Sequence, residues 1–239
     1  MVKKTAKKDC NKVHWSYHNG EDGPENWKNL CDGFADCGGN SQSPVDIVTQ
    51  KVVADNELVT PKFMYGKNKV NIINNHHTVQ FNVGGYNKVY LNGKDYELLQ
   101  FHYHALSEHT IDNQHFPIEA HFVHKHSDTD FAVIAVMLTE GEESKFFKRY
   151  LDQFPVEEGE YITDEMFDLL SLFPENRSYY HYSGSLTTPP CTEFVSWYIL
   201  KNPVEASREQ IEKFSEILHN NYRPVMPLNG RKVKIFEEG

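Results

Sequence analysis

The chain has 239 residues, 39% of them apolar and 13% aromatic, enough for the core of one large domain or two small ones. A net charge of −10 argues against nucleic acid as a partner and fits a well-solvated acidic surface. No apolar run approaches the ~20 residues needed to cross a bilayer, so no membrane partner is expected.

The chain opens on a Lys-rich stretch, Met1 to Lys8, without an apolar stretch behind it. That is not a complete signal peptide; it reads as a solvated tail, or as a mature N-terminus carrying an added start Met. Residues 11–44 are rich in Gly, Asn, Asp and Pro and hold Trp15 and Trp27, which predicts irregular structure wrapped onto a core. From Lys69 to Leu99 the pattern turns to strands, with β-rich runs at Val70–Ile73 and Thr78–Val83. Lys88–Leu91 and Asp95–Leu99 flank Asn92-Gly93, a hairpin signal. Phe131 to Leu138 is a continuous apolar run, read as a buried central strand or a short core helix. Helices come late. Residues 142–154 carry Phe146, Phe147, Tyr150, Leu151 and Phe154 at helical spacing. Ser207 to Gln210 is a capping box, followed by an apolar stripe of Ile211, Phe214 and Leu218. No repeat, low-complexity block or linker splits the chain. The expectation is a tail over residues 1–12 and one domain over 13–239. The fold class is mainly β (α+β): a large, mostly antiparallel twisted central sheet, short peripheral helices and an irregular N-terminal segment.

The chemistry gathers in two stretches. Gln100-Phe101-His102-Tyr103-His104 runs on from the hairpin, and Glu119-Ala120-His121-Phe122-Val123-His124 follows downstream. On a strand, residues two apart share a face, so Gln100, His102 and His104 face one way and Glu119, His121 and Val123 share another face. If the two strands lie side by side, three imidazoles converge on one point. Three neutral nitrogens around an open fourth position is the ligand set of a catalytic zinc site. The chain has 13 histidines, and an isolated His-x-His is more often incidental. Here Gln100 and Glu119 fall on the ligand faces, where partners for the second ring nitrogens are needed. His124 points to the opposite face and is a poor ligand. His109 is expected to make a structural hydrogen bond near Glu108, and His14, His18, His115, His126, His181 and His219 are read as surface or packing residues.

The four cysteines are Cys10, Cys31, Cys37 and Cys191. None forms a Cys-x-x-Cys pair, which argues against a zinc knuckle. Even number and wide spacing favour disulfides in an oxidising compartment, with three pairings open.

The run Ser183-Gly184-Ser185-Leu186-Thr187-Thr188-Pro189-Pro190-Cys191-Thr192-Glu193 makes the pattern specific. Together with Gln-Phe-His-Tyr-His, Ser107-Glu108-His109-Thr110, Glu-Ala-His-Phe-Val-His, Asn40 to Ile47 and Asn221-Tyr222-Arg223-Pro224, it resembles an α-class carbonic anhydrase. The resemblance runs from about Val13 to Lys234. The short Ala105-Leu106 link and the Cys after Pro-Pro resemble the bacterial branch.

That resemblance implies a fold, a cofactor and roles. His102, His104 and His121 become ligands of Zn2+, supported by Gln100, by the Asn221 carbonyl and by Glu119 respectively. Thr187 and Glu108 match the family's gate pair, and His77 its proton shuttle, with His76 the weaker alternative where a Gly is common. Val123, Val133, Leu186 and Trp197 match the apolar substrate wall, although these residue types also suit plain core. Thr188 borders the pocket, and Tyr17 and Asn75 match residues that hold ordered solvent. The implied reaction is reversible hydration of carbon dioxide to bicarbonate and a proton, by zinc-bound hydroxide, with weak esterase activity beside it. Sulfonamides and small anions are the implied inhibitors, a homodimer the implied assembly, and the periplasm or secretion the implied location. The resemblance also implies a Cys37–Cys191 disulfide; Cys10 and Cys31 then pair with each other, stay free or link chains. Two rival readings remain. A catalytically silent binding module would be expected to have lost a zinc ligand, and all three are present. A different zinc hydrolase would want a carboxylate base on the water, and His-Glu-x-x-His is absent.

Overall fold

The computed structural model describes residues 8–239, so most of the Lys-rich opening lies outside the described residues. The central element is a sheet of 13 strands. Its main path runs from Gly159–Ile162 through Val70–Asn74, Val79–Val83, Lys94–His104, Ile118–Ser127 and Asp130–Glu140. It continues through Val195–Leu200, Tyr179–Gly184 and Lys234–Phe236 to Val53–Ala54. Most pairs are antiparallel, but Asp130–Glu140 runs parallel to Val195–Leu200 and to Val204–Ala206, and Lys234–Phe236 runs parallel to Val53–Ala54. The sheet is therefore mixed. The Asn92-Gly93 hairpin forms as expected: both residues take positive φ, 45° and 88°, the backbone that a two-residue turn of matching twist requires. The 131–138 run resolves as a strand. Residues 132–138 are buried without alternation, because both faces of this central strand are covered.

Strand alternation sorts the side chains into two cores. One face carries Phe101, Tyr103, Ala120, Phe122, Ile134 and Val136, packed against Phe146, Phe147 and Phe214 of two helices. The other carries Val123, Val133, Ala135 and Trp197 with Val45 and Ile47. The capping box at Ser207 forms, and helix Arg208–Leu218 buries Phe214, Ile217 and Leu218. The 142–154 stretch is helical only over Lys145–Tyr150, because Ser144 caps it and the last turn tightens to 3-10 geometry at Leu151–Gln153.

The N-terminal segment is irregular, with a four-residue helix at Trp27–Leu30 and 3-10 turns at Cys10–Lys12 and Asp32–Gly38. It is anchored by a fully buried Trp27, whose indole donates to the carbonyls of Ser16 and Asp22. Two disulfides hold it, Cys10–Cys31 and Cys37–Cys191, the second joining residues 154 apart. No helix among the described residues is long and apolar enough to cross a membrane.

His124 lies fully buried on the face away from His102 and His104, bonded to the Tyr65 hydroxyl. Burial pushes its pKa down to about 3. The folded state keeps the ring neutral, while the unfolded chain takes up a proton near ~6.5, so stability falls as pH drops through that window. Denaturant midpoints between pH 7 and 4 should decline in the wild type and decline less steeply in His124→Gln; equal slopes would remove His124 as a cause.

Candidate metal centre

Strand register brings the three histidines together. His121 sits directly across from His102, and His104 across from Glu119. Ring centroids lie 5.0 Å apart for His102 and His104, 5.3 Å for His102 and His121, and 4.6 Å for His104 and His121. One ligating nitrogen from each falls within 4.8 Å of the others.

Hydrogen bonding fixes which nitrogen that is. His102 Nδ1 lies 2.9 Å from Gln100 Oε1, His104 Nδ1 2.6 Å from the Asn221 carbonyl, and His121 Nε2 2.8 Å from Glu119 Oε1. A carbonyl or carboxylate oxygen only accepts, so each of these nitrogens carries the proton. The lone pairs are left on His102 Nε2, His104 Nε2 and His121 Nδ1. Burial, with the neighbouring imidazoles, holds His102 well below its ordinary pKa, and burial also lowers His104. Neutral rings are the ligating form.

The donor set fits a divalent ion. His104 Nε2 is buried without a hydrogen-bond partner, and so is Glu108 Oε2, 3.6 Å away. That oxygen also lies 3.9 Å from His121 Nδ1. Buried polar atoms without partners are rare and point to a missing ion or solvent.

Around this point the expected residues fall as follows. Val123, Val133 and Trp197 are successive cross-strand neighbours, and Leu186 packs on the same cluster. The Trp197 ring meets His121 edge-on with centroids 4.8 Å apart, and its indole donates to the Ser185 carbonyl at 3.0 Å. Thr187 is buried, and Thr188 is half-buried with its carbonyl accepting from Cys191 N at 2.8 Å. Glu108 Oε1 accepts the Arg223 N–H at 2.8 Å, and no hydrogen bond joins Glu108 to Thr187 among the described residues. The carboxylate is turned toward the ligand histidines instead.

His77 is half-buried and stacks on Trp15 with centroids 3.8 Å apart. Burial, then the nearby His14 and His76, lower its pKa. Tyr17 stands between this ring and the centre, 6.5 Å from both His77 and His104. Asn75 Oδ1 accepts from His77 N and Thr78 N, shaping the turn. His76 sits at φ 69° and faces Glu158 at 3.1 Å, on the protein surface.

His109 makes structural hydrogen bonds, as expected, and its partners are Glu119 and Tyr182: Nδ1 lies 2.7 Å from Glu119 Oε1 and Nε2 2.7 Å from the Tyr182 hydroxyl. The reason is register: the loop folds His109 over the Glu119 end of its neighbour strand, where its own N–H also reaches Glu119 Oε2. Glu119 is thus clasped by two imidazoles. Burial opposes its charge, yet His109 and His121 hold its carboxyl well below the usual range. The Tyr182 hydroxyl carries the chain on to Ser43 Oγ at 2.8 Å. No sequence spacing signals this network, because it joins residues up to 139 apart.

A large mixed sheet bearing three converging imidazoles, each with an oxygen partner, defines a protein of the mainly-β class with a histidine cluster that could hold a metal ion. The family profile described as eukaryotic-type carbonic anhydrase matches residues 22–237. A carbonic anhydrase from Pectobacterium atrosepticum is 42% identical over 223 residues, 92% of this chain and 89% of that relative. One from Neisseria gonorrhoeae is 41% identical over 226 residues, 93% of this chain and 88% of that relative. The solved α-carbonic anhydrase of Thermovibrio ammonificans, in complex with the inhibitor sulfanilamide, matches with a TM-score of 0.89 at 42% identity. That match covers 93% of this chain and 99% of that one. The chain belongs to the α-class, eukaryotic-type carbonic anhydrases, a family of lyases acting on carbon dioxide.

Glu119→Gln keeps the shape but removes the charge between His109 and His121. Competition with a chelator should find zinc bound about 10–100-fold more weakly; unchanged affinity would mean that the carboxylate plays no part in holding a metal.

Proposed function

We propose that this chain interconverts carbon dioxide and bicarbonate at a zinc ion held by His102, His104 and His121. The observation that carries the reading is the set of three lone pairs turned toward one point by Gln100, Asn221 and Glu119. When bound, zinc supplies a Lewis acid that makes water a nucleophile at neutral pH, chemistry for which carbonic anhydrases are the reference case.

The protein's own groups do the rest. Val123, Val133, Leu186 and Trp197 offer an apolar wall that suits a substrate without hydrogen-bonding handles and excludes competing water. Glu108 Oε2, buried and without a hydrogen-bond partner, has the capacity to accept from the Thr187 hydroxyl. A Thr187 hydroxyl that donates to Glu108 keeps its lone pairs for the attacking water, and so orients it. Each turnover releases a proton, and His77 is the group that carries it outward. Its stack on Trp15 and its lowered pKa leave it mostly neutral, ready to accept. Asn221 ties this relay to the centre, since its side-chain amide donates to the carbonyls of His77 and Tyr103 while its own carbonyl receives His104.

Weak hydrolysis of activated esters, and inhibition by sulfonamides and small anions, follow from the same pocket. Two disulfides fit an oxidising compartment, and we assign the protein to the periplasm or to secretion.

Stopped-flow measurement with a pH indicator on zinc-loaded protein should record rapid carbon dioxide hydration; none at all would defeat the proposal. His121→Ala should lose most of the bound zinc together with that rate. His77→Ala should slow turnover in weak buffer and recover with added imidazole, whereas turnover that does not change would assign the proton to another carrier.

A further inference from the structure

The two disulfides differ in how far they lie from solvent. Cys37–Cys191 is sealed, with Cys37 5% exposed and Cys191 not at all. In Cys10–Cys31, Cys31 is 7% exposed, but Cys10 is half-buried in a turn whose other residues, Asn11 and Lys12, are exposed. A disulfide yields to an attacking thiolate where one sulfur can be reached. Lys8 and Lys12 are both exposed and outnumber the adjacent Asp9, so the local charge favours an anionic thiolate.

The outer bond closes a loop, residues 10–31, that carries the aromatic seat of His77. Within this loop Trp15 stacks on His77 with centroids 3.8 Å apart and meets Trp27 edge-on at 5.2 Å. Downstream of Trp15 the loop is tied by hydrogen bonds. Ser16 N donates to the Asp22 carbonyl at 3.0 Å, and the Trp27 indole donates to the Ser16 carbonyl at 3.0 Å. Upstream, Lys12 N and Val13 N bond back to Asp9 and Cys10 within their own turn. Residues 8–15 reach the rest of the chain through the exposed His14–Asp22 pair, the Gly33 N–H on Cys10 Sγ at 3.2 Å, and the disulfide itself. The covalent bond is therefore the firm anchor on the upstream side of Trp15.

We propose that Cys10–Cys31 is a thiol–disulfide exchange site for a small anionic thiol, and that opening it loosens Trp15 from His77 while the three clustered histidines stay in place. Those histidines sit on strands of the central sheet, and Cys37–Cys191 continues to hold the end of the N-terminal wrap. The exchange is balanced by two thiols. The first, as thiolate, attacks the half-exposed Cys10 sulfur, forms a mixed disulfide and expels Cys31 as thiolate. The second attacks the sulfur of the first, releases Cys10 as thiolate and leaves as the oxidised disulfide of the reductant. The protein gains two electrons and, from solvent, two protons. The effect on turnover rests on the proton-carrying role proposed for His77; the exchange and the loosening do not.

The probe is reduced glutathione, applied without denaturant to the full-length, zinc-loaded protein. Thiols are trapped with iodoacetamide, the protein is desalted, and the label is located by peptide mass spectrometry. Cys10 and Cys31 should carry it, and Cys37 and Cys191 should not. The His77 ring-proton resonance, shielded by the stacked indole, should move toward its position in Trp15→Ala. Turnover in weak buffer should fall toward that of His77→Ala, with kcat/KM for carbon dioxide unchanged. The Cys10→Ser, Cys31→Ser double variant should show the moved resonance with no thiol added; reduction of the wild-type chain tests the same point should that variant fail to fold. No label, label on Cys37 and Cys191 first, or a His77 resonance that does not move would each overturn the proposal. If the unreduced protein hydrates no carbon dioxide, the reading of the metal centre fails, and label and resonance still decide this one.

Discussion

Everything at the centre depends on three oxygen atoms that can only accept hydrogen bonds. Gln100, Asn221 and Glu119 each take the proton-bearing nitrogen of one ring and leave the other nitrogen of that ring free. Without them each neutral imidazole would be free to choose between tautomers, and three lone pairs would share a focus only part of the time. The partners come from different sources: a side chain two residues away on the same strand, another such neighbour on the adjacent strand, and a backbone carbonyl 117 residues distant. The third explains why a loop near the C-terminus matters to a site built on two strands.

The sheet turns one register into two consequences. Pairing His121 with His102 also pairs Ala120 with Tyr103 on the reverse face. A one-residue slip would send the imidazoles into the aromatic core and the aromatics toward the substrate wall. The aromatic core therefore guards the register that the chemistry needs. Phe101 stacks on Phe122 with centroids 5.0 Å apart and on Phe81 at 4.5 Å, so the pairing that gathers the three histidines is clamped from behind by three rings.

Local pattern made much of this legible in the sequence. The Asn92-Gly93 turn, the 131–138 strand and the Ser207 capping box each rest on a few adjacent residues, and the structure agrees. The faces of His102, His104 and His121 follow from alternation alone. What stayed hidden depends on tertiary placement. His109 reaches Glu119 and Tyr182 because a loop folds back, which no spacing encodes. The helix near 142–154 is shorter than its apolar spacing suggests, since spacing reports burial and not where a helix tightens. The orientation of Glu108, with one oxygen on Arg223 and the other facing two imidazoles, needs the fold itself. The parallel pairs are equally silent, because both kinds of pairing use the same residue types.

The bond between Cys37 and Cys191 has a bearing on how the molecule is made. Its second sulfur leaves the ribosome only after both strands that carry the three clustered imidazoles. The irregular N-terminal wrap, synthesised first, must wait for the Thr187–Cys191 turn before it can be stitched down. Covalent closure by this bond is thus a late event in biogenesis, sealing a scaffold whose histidine-bearing strands have already been synthesised.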